Sequence, residues 1–447
     1  MENRIKENIY KMSDILKGFF PYETYCNLCT FCVFLKYVLD NEKLPYDKTS
    51  FELQRMFDRA EPNKEALIKE SMALEEQYKL PQSSLVDLAQ IYIGFNDTKK
   101  SYNVATKVLN ELKEISFAER GEEIVGILKE IFYSSAASFG KIMSDKITSR
   151  PLSNLIKELI NVQDGEHYAD FTYGIGISTL EIVGDKNCSI TGYEINRSHI
   201  AVAGMLLIMS GRDNVNLIMG DVLDIEMNDD SFDKIVTMPP LGMRVKELST
   251  VSVDILKRFH LPQKQLNMDS LILLKSLAAL KKDGIAVVTV TPSFLFSRAV
   301  MDKEIRKQIV KKYLNAVIQL PNLYYGSGIS TIMLILEKQK QADNVLFVDA
   351  STNEYFRFFD KPVRPIANLT ESGIAKIKEI YQERRSEEGV SNIVTTEEIE
   401  ENEFLLTLVK YIKVKSKKKI ISNKEIDKRL KKLYSELKDI LDVEGLL

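Results

Sequence analysis

Between residues 167 and 336 short β-rich runs alternate with helical stretches, and this alternation constrains the chain more than any other feature. Parallel strands cannot be joined by tight turns; each pair needs a crossover, and helical crossovers cover both faces of the sheet. The runs are His167 to Phe171, Ser189 to Tyr193, Val215 to Met219, Lys234 to Thr237, Ile285 to Thr291, Leu314 to Leu320 and Thr331 to Leu336. They predict the α/β class with a doubly wound sheet. Only the loop from Pro321 to Ser330 joins the last two runs, which predicts an antiparallel hairpin at the edge of an otherwise parallel sheet.

The flanks differ. From Asn3 to Phe139 apolar residues recur at three and four, as in Ile9, Ile15, Leu16 and Phe19, and Pro45, Pro62, Pro81 and Asn96-Asp97 punctuate the pattern. An all-α domain over residues 1–140 is therefore expected, then the sheet domain over 141–340, then a C-terminal extension over 341–447 ending in a helix. The extension holds a strand-like VLFVDA, an acidic cluster from Glu397 to Glu403 and a lysine-rich stretch from Lys410 to Lys432. With 447 residues, 45% of them hydrophobic, there is material for two or three cores.

Charge decides little: 61 basic against 64 acidic residues give a net charge of -3, so any nucleic-acid contact must come from a local patch or a partner. The first 20 residues are charged and amphipathic without an apolar leader, and no run long enough to span a bilayer occurs, so a cytoplasmic protein without a membrane partner is expected. Cys26, Cys29 and Cys32 are spaced C-x-x-C-x-x-C, but they lie in YCNLCTFCVFLKYVL, which reads as one apolar helix around which the sulfurs would spread. No metal is expected, and the thiols are read as small hydrophobes of a helical core.

The chemistry concentrates at strand ends. The first run leads into Asp170-Phe171-Thr172-Tyr173-Gly174-Ile175-Gly176-Ile177-Ser178, where two glycines at a strand-to-helix turn let backbone approach a ligand. A nicotinamide fingerprint would want Gly or Ala at position 179, where this chain has Thr. Glu194 ends the second run, suited to two ribose hydroxyls; Asp221 follows the third, suited to an adenine amino group. The fourth run ends in Thr237-Met238-Pro239-Pro240-Leu241-Gly242, a stiff loop whose carbonyls can face the crevice.

On these residues the chain resembles the modification subunit of type I restriction-modification systems, a family of SAM-dependent adenine-N6 DNA methyltransferases. The family's fourth-strand motif is Asn-Pro-Pro-aromatic, for which this chain has Met238, Pro239, Pro240 and Leu241. FLKYVLD (34–40) resembles the family's N-terminal helical domain, and Leu320-Pro-Asn-Leu-Tyr-Tyr-Gly326-Ser-Gly328-Ile329 its late loop. Glu398-Ile399, Asn402, Phe404, Leu406 and Lys410-Tyr411 follow its spacing near the C-terminus, with Lys410 where the family more often has Arg. Of its Tyr-Thr-Pro-Arg motif before the first strand this chain keeps Thr148 and Arg150; Ile147 and Ser149 stand for the Tyr and Pro.

The resemblance implies a Rossmann-like SAM-dependent methyltransferase sheet. S-adenosyl-L-methionine (SAM) would be held by Thr148, Asp170, Thr172, Gly174, Gly176, Glu194 and Asp221, and the reaction carried by Met238, Pro239, Pro240 and Leu241. It implies double-stranded DNA as substrate, with a flipped adenine. Partners would be a specificity subunit and a second modification subunit. Two further readings stay open: a catalytically silent relative that keeps the fold for binding or assembly, and a methyltransferase acting on RNA, protein or a small molecule. His199 and His260 lie in apolar contexts and receive no role, while Ile426, Leu430, Leu433, Leu437 and Ile440 form an apolar seam suited to a partner helix.

Overall fold

The computed structural model describes residues 2–41, 48–94, 98–139, 147–323, 330–352, 355–359, 366–413 and 430. The stretch up to residue 139 forms helices α1 (Glu2–Lys17), α2 (Tyr22–Asp40), α3 (Lys48–Arg59), α4 (Lys64–Gln77), α5 (Ser84–Gly94), α6 (Thr98–Leu112) and α7 (Gly121–Phe139). Turn residues set the boundaries: after Pro62, Asn63 caps α4 by accepting from the Ala66 N–H at 3.1 Å. Cys26, Cys29 and Cys32 are free and buried on α2, and burial pushes their thiols up, Cys32 to about 12.

Helix α8 (Arg150–Ile160) opens with Pro151 in its first turn and leads into the sheet. In chain order follow β1 (His167–Asp170), α9 (Ile177–Val183), β2 (Ser189–Glu194), α10 (Arg197–Met209), β3 (Val215–Met219), β4 (Phe232–Thr237), α11 (Thr250–Arg258), α12 (Met268–Ala279), β5 (Leu280–Val290), α13 (Val300–Lys312), β6 (Leu314–Leu320), β7 (Thr331–Glu337) and β8 (Asn344–Asp349). After them come β9 (Phe356–Phe359), β10 (Ile366–Leu369), α14 (Glu371–Glu383), β11 (Ser391–Thr395), α15 (Thr396–Glu401) and α16 (Leu408–Tyr411).

The strand order is β3-β2-β1-β4-β5-β7-β6-β8-β11, with β9 and β10 forming a separate pair. The pairings β3-β2, β2-β1, β1-β4, β4-β5 and β6-β8 are parallel; β7 runs against both β5 and β6, and β11 against β8. The order reverses beside β1, which opens a crevice between the loops leaving β1 and β4.

Two expectations change. The β6–β7 pair is antiparallel but not at the edge, because β7 inserts between β5 and β6. All of Thr331 to Leu336 is buried, and a strand apolar on both faces is stable only inside a sheet. Nor does the sheet end near residue 340, where the C-terminal extension was expected to begin: VLFVDA becomes β8, and β11 closes the edge.

Alternation along the strands feeds two cores. Tyr168 joins a cluster that runs from Ile5 of α1 through α8 and α10 to Ile380 of α14, whereas Ala169 faces one built on α11, α12, α13 and the residues after β11. Helix α10 is buried at every position from Ile200 to Leu207, with the sheet beneath it and α2, α5 and α7 above. Approach is close there: a Cβ on Gly204 would lie 2.4 Å from a Leu80 methyl, and one on Gly121 1.8 Å from the Met209 carbonyl oxygen.

The chain after α15 is fastened by Arg306, which is fully buried on α13. Its guanidinium donates to the carbonyls of Phe404 (2.8 Å), Phe294 (2.7 Å) and Ser297 (2.7 Å), and the Leu406 N–H donates to Leu295 at 2.9 Å. Phe404, Leu406 and Tyr411 are buried, so the family-like spacing near the C-terminus is a packing pattern. The loop with Gly326 and Gly328 lies outside the described residues, as does the apolar seam apart from Leu430, which is exposed. Among the described residues no helix is long and apolar enough to cross a membrane.

Candidate active site

Each strand-end residue is fixed by the turn that follows it. Asp170 ends β1 fully buried: Oδ1 accepts from the Thr172 N–H at 2.9 Å, and Oδ2 from the Thr179 hydroxyl at 3.1 Å. Burial raises its carboxyl to about 7, against the pull of these donors. Gly174 and Gly176 adopt positive φ, 57° and 79°, which turns the chain from β1 into α9. Room at Gly176 also serves the protein itself. A Cβ there would lie 2.6 Å from the Tyr173 ring, and one on Gly192 of β2 would lie 2.3 Å from it, so the buried ring needs both glycines.

Glu194 at the end of β2 reaches back to this turn. Its Oε2 accepts from the Gly174 N–H at 2.8 Å and its Oε1 from the Asn196 N–H at 2.7 Å, while His199 Nδ1 stands 3.6 Å from Oε1. Burial opposes its ionisation, yet His199 and the two N–H donors outweigh that and hold the carboxyl below its ordinary range. Just past β3 the Gly220 N–H donates to the Glu194 carbonyl, which brings Asp221 alongside; Asp221 Oδ1 accepts from Leu223 N–H at 2.9 Å. The loop is held from behind by buried Lys275, which donates to the carbonyls of Val222 and Ile225 and is lowered to about 8 by burial.

Across the crevice, the loop after β4 is tied to the loop after β1. The Met238 N–H donates to Thr172 Oγ1 at 2.9 Å, and Thr172 Oγ1 lies 3.3 Å from the buried Thr237 hydroxyl. Pro239 is buried, Leu241 half-buried and Pro240 exposed, and Gly242 at φ 73° turns the chain away. The Thr148 hydroxyl meets the Met238 thioether, Oγ1 to Sδ 3.4 Å. A continuous contact path therefore runs Thr148, Met238, Thr172, Asp170. Arg150 points elsewhere: it pairs with Glu181 at 3.3 Å and stacks on Tyr133, joining α8 to α9 and α7.

Three residues of this region escape the sequence reading. His199 is brought to Glu194 because Asn196 caps α10, accepting from the Ser198 and His199 N–H groups, which directs the first turn back to the strand end. The acid-x-Asn-x-x-His spacing was the available signal. Thr179 supports Asp170, and its departure from the dinucleotide fingerprint was the clue. Ile195, next to Glu194, is 68% exposed, a bare apolar side chain at the mouth of the crevice that no periodicity reveals.

Neither Asp170 nor Glu194 meets a lysine or arginine among the described residues. Beside the glycine turn the buried Asp170, which meets no lysine or arginine among the described residues, fits a ligand that brings positive charge, as the sulfonium and ammonium of SAM do.

The sequence matches the N-6 DNA methylase family over residues 121–420. The chain is 24% identical over 359 residues to the type I restriction enzyme MpnII methylase subunit of Mycoplasma pneumoniae, which covers 76% of this chain and 65% of the relative. It is 27% identical over 400 residues to the MjaVII methylase subunit of Methanocaldococcus jannaschii, covering 82% and 66%. It thus spans just under two thirds of the length of these relatives. In fold it is similar to the type I restriction-modification methyltransferase subunit of Streptococcus thermophilus, with a TM-score of 0.77 and 20% identity over 92% of this chain and 100% of that one.

Proposed function

The chain belongs to the N-6 DNA methylase family, and from that premise we propose that it methylates the exocyclic N6 of adenine in DNA as the modification subunit of a type I restriction-modification assembly. The observation that carries this reading is the pair of acids, Asp170 with no lysine or arginine partner among the described residues and Glu194 beside His199, flanking the Gly174 turn and facing the Met238-Pro-Pro loop across the crevice.

Bound SAM would supply an electrophilic methyl on a sulfonium. Glu194 would take the ribose hydroxyls on the lone pairs its N–H donors leave, Asp221 the adenine amino group, and Ile195 one face of that adenine. Gly174, Gly176, Asp170, Thr172 and Thr148 would line the methionine side.

The substrate adenine must leave the duplex, since its amino group cannot be reached in the stack. The backbone carbonyl in the Met238-Pro239-Pro240 turn accepts one amino hydrogen and aims the nitrogen lone pair at the methyl. Bound SAM would supply the methyl and keep the C–S bonding electrons on its sulfur, and the nitrogen held this way would take the methyl and lose its surplus proton to solvent. Leu241 packs against the base without a π face. A specificity subunit, bound together with a second modification subunit, would supply sequence recognition, for which no recognition module is seen in this sequence.

The test restores the family pattern. Met238→Asn with Leu241→Phe, assayed with the specificity subunit by tritium transfer from SAM to DNA, should raise the rate, since stacking of the base on an aromatic ring is worth roughly 1–3 kcal/mol. SAM binding by calorimetry without transfer by parent or variant would leave a catalytically silent relative; no SAM binding would reject the donor pocket.

A further inference from the structure

We propose that Thr148 is a catalytic residue that replaces the missing asparagine as acceptor for the adenine amino group. The inference rests on the methyltransferase reading above and assigns a new role within that site. Two N6 hydrogens need two acceptors if the nitrogen lone pair is to face the methyl. The backbone carbonyl of the proline loop offers one. Met238, at the position of the second, ends in a thioether, a weak acceptor.

The structure gives that thioether another use. Thr148 Oγ1 donates to Met238 Sδ at 3.4 Å, and the sulfur lies where sulfur–oxygen hydrogen bonds form. A hydroxyl has one proton and two lone pairs. With the proton parked on sulfur, both lone pairs of Oγ1 remain to accept, and Thr148 is only half-buried, at the same crevice as Met238. The Met238 backbone is held independently by Thr172, so the sulfur is presented to Thr148 by a loop already fixed. Methionine thus acts as an orienting group and threonine as the acceptor, a division of labour in place of one amide side chain.

The full chain with its specificity subunit is assayed for methyl transfer, and SAM affinity is measured by calorimetry on the same proteins. Thr148→Val, nearly isosteric, should lower kcat about a hundredfold, while SAM affinity, to which Thr148 adds one contact at the methionine end, falls by less than about tenfold. Thr148→Ser should retain transfer, and Met238→Asn placed on Thr148→Val should recover it by supplying an amide oxygen. Transfer by Thr148→Val at the parent rate overturns the proposal. So does loss of SAM affinity in step with kcat, which makes Thr148 a donor contact only. A parent that is inactive while Met238→Asn is active rejects the acceptor role yet keeps the methyltransferase reading; inactivity of every protein rejects both.

Discussion

Asp170 is the residue whose ionisation most depends on what enters the crevice. Burial holds its carboxyl near 7 in the free protein, whereas an unfolded aspartate loses its proton at about 4. The folded chain therefore favours the protonated form between those values. The stability this group contributes is complete below about pH 4 and is lost as pH rises through about 7. A cationic donor reverses the preference, because it stabilises the carboxylate. SAM affinity is expected to weaken as pH falls below about 7, by up to about tenfold per pH unit, with a proton released on binding. Calorimetry in buffers of different ionisation enthalpy reads both effects, and Asp170→Asn should bind weakly with a flat profile between pH 6 and 8. A parent profile equally flat would mean that Asp170 is already ionised before the donor arrives.

At the scale of elements, Arg306 does what no short motif could. One guanidinium on α13 satisfies carbonyls from the turn after β5 and from the chain after α15, and all of these are buried or partly buried. Arg306→Met keeps much of the side-chain volume but strands three acceptors, a loss on the order of 3 kcal/mol or more. Urea denaturation should show this as a lowered midpoint. Amide exchange should speed up first around residues 404–412. By contrast, the nearby Lys303–Glu403 pair at 3.0 Å is solvent-exposed and screened, and Lys303→Ala should leave the urea midpoint nearly unchanged. Equal effects of the two substitutions would show that charge near the tail matters and the buried carbonyl contacts do not.

For the whole molecule, the decisive fact is that α10 has no solvent face from Ile200 to Leu207. It packs on the sheet below and on α2, α5 and α7 above, within one apolar cluster that runs from α1 to α14. The helical region and the sheet are therefore joined by a core. A chain lacking residues 1–120 would bare the outer face of α10 and should aggregate or lose fixed packing. Size-exclusion chromatography and the cooperativity of thermal unfolding measure this; a monodisperse, cooperatively folding product would show that the sheet carries its core alone.

Much of the fold is legible in the sequence because strand and helix leave different periodicities, and acids or glycines at strand ends fall at countable positions. The seven runs found between 167 and 336 correspond to β1 through β7, and Asp170, Gly174, Glu194 and Met238 sit at the turns their spacing implies. Periodicity says nothing of neighbours in the sheet, so β7 was placed at an edge and β8 and β11 were not joined to it. Contacts between distant positions were equally invisible: Thr148 with Met238, 90 residues apart, and Arg306 with Phe404, 98 apart. Local sequence determined which residues form each element and each turn, because those choices rest on backbone torsions and side-chain alternation. Only the tertiary structure decided which turns face one another, because that follows from the packing of both sheet faces at once.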